Sequence, residues 1–85
     1  MKIIINRCYG GFEYSEEALG LANLRGGNVT CRTCPIMVQI VEELGARASS
    51  EFSNLGIVAI PDDVDWVIKE YDGREWIAER HRTWA

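Results

Sequence analysis

The chain has little of what builds active sites and cross-linked scaffolds: one histidine, three cysteines and two prolines in 85 residues. With one histidine, His81, near the end of the sequence, the only pairing of nucleophile and base on offer is Cys8 with His81, and a non-enzymatic protein is expected. No apolar run approaches the ~20 residues that span a bilayer. The apolar core of Met1-Lys2-Ile3-Ile4-Ile5-Asn6 is too short for a signal peptide. A cytosolic protein with no membrane partner is expected, and a reducing compartment disfavours structural disulfides among Cys8, Cys31 and Cys34. Positive charge is also scarce. The formal net charge of −4 argues against a general binder of nucleic acid polymers. There is no internal repeat and no low-complexity stretch.

What is present is one domain's worth of ordered sequence, residues 1–85, with 47% hydrophobic and 26% charged residues. So short a chain buries roughly two thirds of its surface at most, and self-association is a common supplement to its stability.

Lys2 to Asn6 is β-branched and apolar on both faces, which predicts a central strand. Ser15 caps a first helix whose opening turn holds Glu16 and Glu17, and Ala18, Leu19, Leu21, Ala22 and Leu24 form its apolar stripe. Gly20, within that helix, marks close packing. Arg25-Gly26-Gly27-Asn28 ends it. Pro35 opens a second helix capped by Thr33 or Cys34 and closed by Gly45. Ala46 to Asn54 is small and polar, so irregular surface or a frayed turn is expected.

Gly56 to Ile60 predicts a second strand closed by Pro61. Asp72-Gly73 between alternating runs predicts a type I′ hairpin in which Ile68 faces Ile77 and Lys69 faces Trp76; a helix over Arg74–Trp84 is the rival reading. The order β-α-α-β-β-β gives an α+β (α/β-like) domain: a small mixed sheet of about four strands, two helices, a C-terminal hairpin and a right-handed first crossover. Its Trp- and Ile-rich faces exceed what two helices cover, so a homo-oligomer, dimer or larger, is expected.

Several residues could carry chemistry. Cys31-x-x-Cys34 has metal-ligand spacing, and Cys8 with His81 would complete a Cys₃His set, but no second tight ligand pair accompanies it. The same Cys31-Arg32-Thr33-Cys34-Pro35 lies ahead of a helix, where the dipole lowers a thiol pKa. A helix precedes it, unlike the thioredoxin arrangement. Neither a metal nor another cofactor is therefore expected. Arg7, Arg32, Arg80 and Arg82 are forked donors matched to phosphate, with His81 beside them. Tyr9, Phe12, Tyr14 and Trp84 offer flat surfaces on which a base stacks, at about 1–3 kcal/mol each. Gly10-Gly11 lies at a strand end ahead of a helix, a common place for an anion. The expected ligand site is Arg7, Tyr9, Gly10, Gly11 and Arg32, completed by His81, Arg82 and Trp84. The plainer account of any single arginine is that it bridges surface carboxylates.

Three segments carry a resemblance: Ile5-Asn6-Arg7-Cys8-Tyr9-Gly10-Gly11-Phe12 with Ser15, then Val41-Glu42-Glu43-Leu44-Gly45, and finally Ile60-Pro61-Asp62-Asp63-Val64 running through Tyr71-Asp72-Gly73 to His81-Arg82-Thr83-Trp84. Together they resemble a family of small, mostly uncharacterised proteins of tailed bacteriophages and prophages. The chain departs from that pattern at Glu13-Tyr14, where Gly-Leu is typical, and at Cys31 and Cys34, where aspartates are usual. The resemblance implies action in the host cytoplasm against host machinery. By analogy with other phage proteins it implies an anti-defence sponge, an oligomer that sequesters a nucleotide second messenger such as a cyclic oligonucleotide or an ADP-ribose derivative. The alternative is inhibition of a host protein by direct binding.

Overall fold

The computed structural model describes residues 1–80; His81, Arg82 and Trp84 of the expected ligand site lie outside them. The elements follow the expected order. They are β1 (Lys2–Asn6), α1 (Glu16–Arg25), α2 (Pro35–Leu44), a 3-10 turn (Gly45–Ala48), β2 (Leu55–Ala59), β3 (Trp66–Tyr71) and β4 (Arg74–Glu79). Among the described residues two helices and four strands make a small α+β fold.

The strands do not form one mixed sheet. β1 pairs antiparallel with β2, with Ile4 opposite Ile57, and β3 pairs antiparallel with β4. Among the described residues no parallel pair exists, so the expected right-handed crossover has no strand to reach. The reason lies on the second edge of β1. There Ile4 N donates to the Arg32 carbonyl (2.9 Å) and Asn6 N donates to Glu75 Oε1 (2.8 Å). A loop carbonyl and a carboxylate have taken the donors that a third strand would need. β1 is buried, as its apolar run predicts, but in a two-stranded sheet it is not the central strand expected.

α1 begins where expected: Ser15 Oγ accepts from Ala18 N (3.1 Å), and Gly26 ends the helix in the left-handed region (φ 73°). Its apolar stripe is narrower than expected. Only Ala18 and Ala22 are buried, Leu21 packs at the core's margin, and Leu19 and Leu24 are exposed. Nor does Gly20 mark a close contact, because a Cβ there would meet nothing within 4 Å. α2 starts at Pro35 with Cys34 as cap and ends at Gly45; Met37, Val38, Ile40 and Val41 carry it into the core with Ile4 and Leu55. The segment after it is one 3-10 turn whose Ala48 is fully buried, and Ser49 Oγ then accepts from Leu55 N (2.8 Å) to lead into β2.

Asp72 (φ 53°) and Gly73 (φ 91°) both take positive φ, as a type I′ turn requires. The register is the one the turn predicts, with Ile68 opposite Ile77 and Lys69 opposite Trp76. β4 is a strand, so the helical alternative for Arg74 onward does not hold over Arg74–Glu79.

Two glycines act through contact. A Cβ on Gly10 would lie 1.9 Å from the Phe52 carbonyl oxygen, and one on Gly73 would lie 2.8 Å from the Tyr9 carbonyl oxygen. The Gly10-Gly11 turn and the hairpin turn therefore pack backbone to backbone. Gly10→Ala should lower stability by about 1–3 kcal/mol through overpacking. Gly20→Ala should raise it by about 1 kcal/mol through helix propensity. Urea midpoints of the two variants check both signs.

Candidate functional site

Arg32 sits in the turn between α1 and α2, and Glu75 is the second residue of β4. Their side chains form a two-pronged ion pair, Nη1 to Oε1 at 2.7 Å and Nη2 to Oε2 at 2.9 Å. The guanidinium lies 3.6 Å above the Phe12 ring centroid, and Nη1 also donates to the Ile4 carbonyl (3.2 Å). Phe12 meets Tyr14 edge to face, with centroids 5.1 Å apart. Below them Asn6, fully buried, donates through Nδ2 to the carbonyls of Cys8 (2.9 Å) and Gly73 (2.7 Å) and accepts from Asn54 N (2.8 Å). Arg32 is thus engaged inside the protein.

The other residues of the expected site go elsewhere. Arg7, just after β1, is exposed, and its guanidinium lies over Gly56 of β2 and donates to the Ile57 carbonyl (3.3 Å). Arg7 and Arg32 therefore do not converge. Gly10 packs against Phe52, Gly11 (φ 142°) meets Gly73, and Tyr9 stands exposed beside the hairpin turn. Among the described residues no three Cys, His, Asp or Glu side chains gather as a metal would require. Cys8 instead faces the Asn6 side-chain oxygen and the Phe52 carbonyl.

Neither of two open concavities among the described residues suits a phosphate. One, of about 510 Å³, is ringed by Glu13, Glu16, Glu17 and Glu51. The other, of about 400 Å³, holds Lys2 already paired with Glu42 (3.0 Å) beside Asp62.

The β3–β4 hairpin offers a different surface. Cross-strand partners share a face, so Val67, Lys69 and Tyr71 stand beside Ala78, Trp76 and Arg74. That face carries two cations, two exposed aromatics and no carboxylate; Tyr71 is 71% exposed and Trp76 45%. Among the described residues neither Lys69 nor Arg74 has an acidic partner. The acids Glu70, Glu75 and Glu79 all fall on the opposite face with Trp66, Ile68 and Ile77. Alternation along two short strands has thus segregated charge on an acidic chain. Lys69, Tyr71, Arg74 and Trp76 were absent from the site expected from sequence. Their signal was the Asp72-Gly73 turn, which fixes the register and hence the face.

Comparison with protein-family models, with curated proteins and with solved structures finds no match to this chain. No helix among the described residues is long and apolar enough to cross a membrane.

Tyr14 is 6% exposed, and its hydroxyl has no hydrogen-bond partner among the described residues. Burial pushes its pKa up to about 12, partly offset by the nearby Arg32 guanidinium. The folded value lies above the ordinary one near 10, so this group's contribution to stability is complete below pH 10. It is lost as pH rises from 10 through 12. Tyr14→Phe should flatten the alkaline fall in stability over that window, read from denaturation midpoints across pH.

Proposed function

We propose that this chain binds a nucleotide without turning it over, and that the Lys69-Tyr71-Arg74-Trp76 face of the β3–β4 hairpin is the recognition surface. The observation that carries the reading is the set of exposed aromatics and of cations without an acidic partner among the described residues on one face of the ladder. A base stacked on Trp76 or Tyr71 gains about 1–3 kcal/mol. Lys69 and Arg74 supply phosphate donors, one a point charge and one a fork. This face is preferred to the expected site of Arg7, Tyr9, Gly10, Gly11 and Arg32, because Arg32 is held by Glu75 and the Arg7 guanidinium lies over Gly56 of β2; His81, Arg82 and Trp84 of that site lie outside the described residues.

An open face wraps only one side of a ligand. A second copy closing over it would bury the other side, which favours a homo-oligomer. The resemblance to small phage and prophage proteins supplies the context: a sponge that withdraws a cyclic oligonucleotide or ADP-ribose-derived signal in the host cytoplasm. One observation favours the alternative of a host-protein inhibitor. Among the described residues β3 pairs only with β4, so its outer edge is open to an added strand.

Titration with cyclic di- and trinucleotides and with ADP-ribose decides between them. At about 100 times Kd a true ligand stabilises by about 2.7 kcal/mol, and stacking on Trp76 quenches its fluorescence. Both responses should vanish in Lys69→Glu/Arg74→Glu. If no ligand raises the wild-type melting temperature, or the reversed-charge variant binds equally well, the nucleotide reading fails.

A further inference from the structure

The Cys31-x-x-Cys34 pair, which the nucleotide reading leaves unused, occupies a particular place in the fold. Arg32 and Thr33 are the central residues of a turn, so Cys31 and Cys34 are its first and fourth positions. Those positions lie within about 7 Å between Cα atoms, inside the span a disulfide bridges. Cys34 is the N-cap of α2, ahead of Pro35. Both residues are only half-buried.

The two thiols are surrounded by donors. Asn28 N donates to Cys34 Sγ (3.4 Å). Met37 N–H and Ile36 N–H, in the open first turn of α2, face the same sulfur, and with Asn28 they hold the thiol below its ordinary pKa. Cys31 Sγ lies 3.4 Å from Thr33 Oγ1, and that hydroxyl, then the backbone N–H groups of Thr33 and Cys34, lower its pKa likewise. A sulfur that feels the N–H of Cys34 is already beside its partner residue.

Cys8 supplies the contrast within the same molecule, because its S–H faces two oxygen acceptors, Asn6 Oδ1 (3.4 Å) and the Phe52 carbonyl (3.3 Å).

We propose that Cys31 and Cys34 are a redox-active dithiol that closes to a disulfide across the turn at the head of α2. The co-reactant is a small-molecule disulfide. The Cys34 thiolate attacks one of its sulfurs, a mixed disulfide forms and one small thiolate leaves. The Cys31 thiolate then attacks Cys34 Sγ, and the second small thiolate leaves. Two protein thiols are oxidised, one disulfide is reduced to two thiols, and the protein's two protons pass to the leaving thiolates or to water. The pair lies on a different element from the hairpin face, so the proposal is independent of the nucleotide reading.

The test is oxidised glutathione added to the folded protein, followed by alkylation and intact-mass analysis. The wild type should lose two hydrogens, carry no glutathione and keep one alkylatable thiol, mapped to Cys8. Cys31→Ser should trap a single adduct on Cys34; serine at either position is a good turn or cap residue, so the variants fold. Cys34 should react on the order of tenfold or more faster than Cys8. Stable adducts on both cysteines without closure, faster reaction at Cys8, or no oxidation would each overturn the proposal.

Discussion

The two-pronged contact between Arg32 and Glu75 is the interaction on which the arrangement of this molecule depends. Glu75 is 7% exposed and also accepts from Asn6 N, so one carboxylate satisfies both a guanidinium and the edge of β1. Breaking such a pair on one side leaves a buried charge uncompensated, at about 3–5 kcal/mol. The Phe12 ring over Arg32 and the buried Asn6 beneath extend the contact, so that the Gly10-Gly11 turn, the Arg32 turn and the hairpin meet at one point. A two-stranded hairpin is marginal by itself in water. Here it is held through β4 and its turn, and much of its remaining surface stays open.

That manner of attachment determines what the hairpin can do. Because Glu75 points inward, its face of the ladder carries the acids and the apolar residues nearest the body. The alternate face is left with Lys69, Tyr71, Arg74 and Trp76. The basic and aromatic surface is thus a consequence of register. A one-residue slip would exchange the two faces, and the positive-φ pair at Asp72 and Gly73 fixes the register against it.

Much of this was legible in the sequence where the signal is local. Ser15, Pro35 with Cys34, Gly45 and Asp72-Gly73 each act within a few residues, and each did what its chemistry predicts. The two-sheet layout was not legible, because the groups that close the edge of β1 come from distant segments, Glu75 lying 43 residues beyond Arg32. Arg32 read as a ligand donor for the same reason: nothing near it in sequence shows that a buried glutamate awaits it. Leu19 and Leu24 fit helical spacing, yet α1 packs through Ala18 and Ala22, since small side chains set the closer approach. The hairpin pairing was readable to the residue, but the site drawn from sequence followed arginines near glycines and overlooked the face that pairing creates.

Native-state hydrogen exchange on Glu75→Gln, which keeps the shape of the side chain and removes its charge, tests the role of the contact most directly. The account predicts that the amides of Trp66–Tyr71 and Arg74–Glu79 lose protection while those of α2 and the β1–β2 ladder keep theirs. Unchanged protection in the hairpin, or an equal loss throughout the protein, would contradict it.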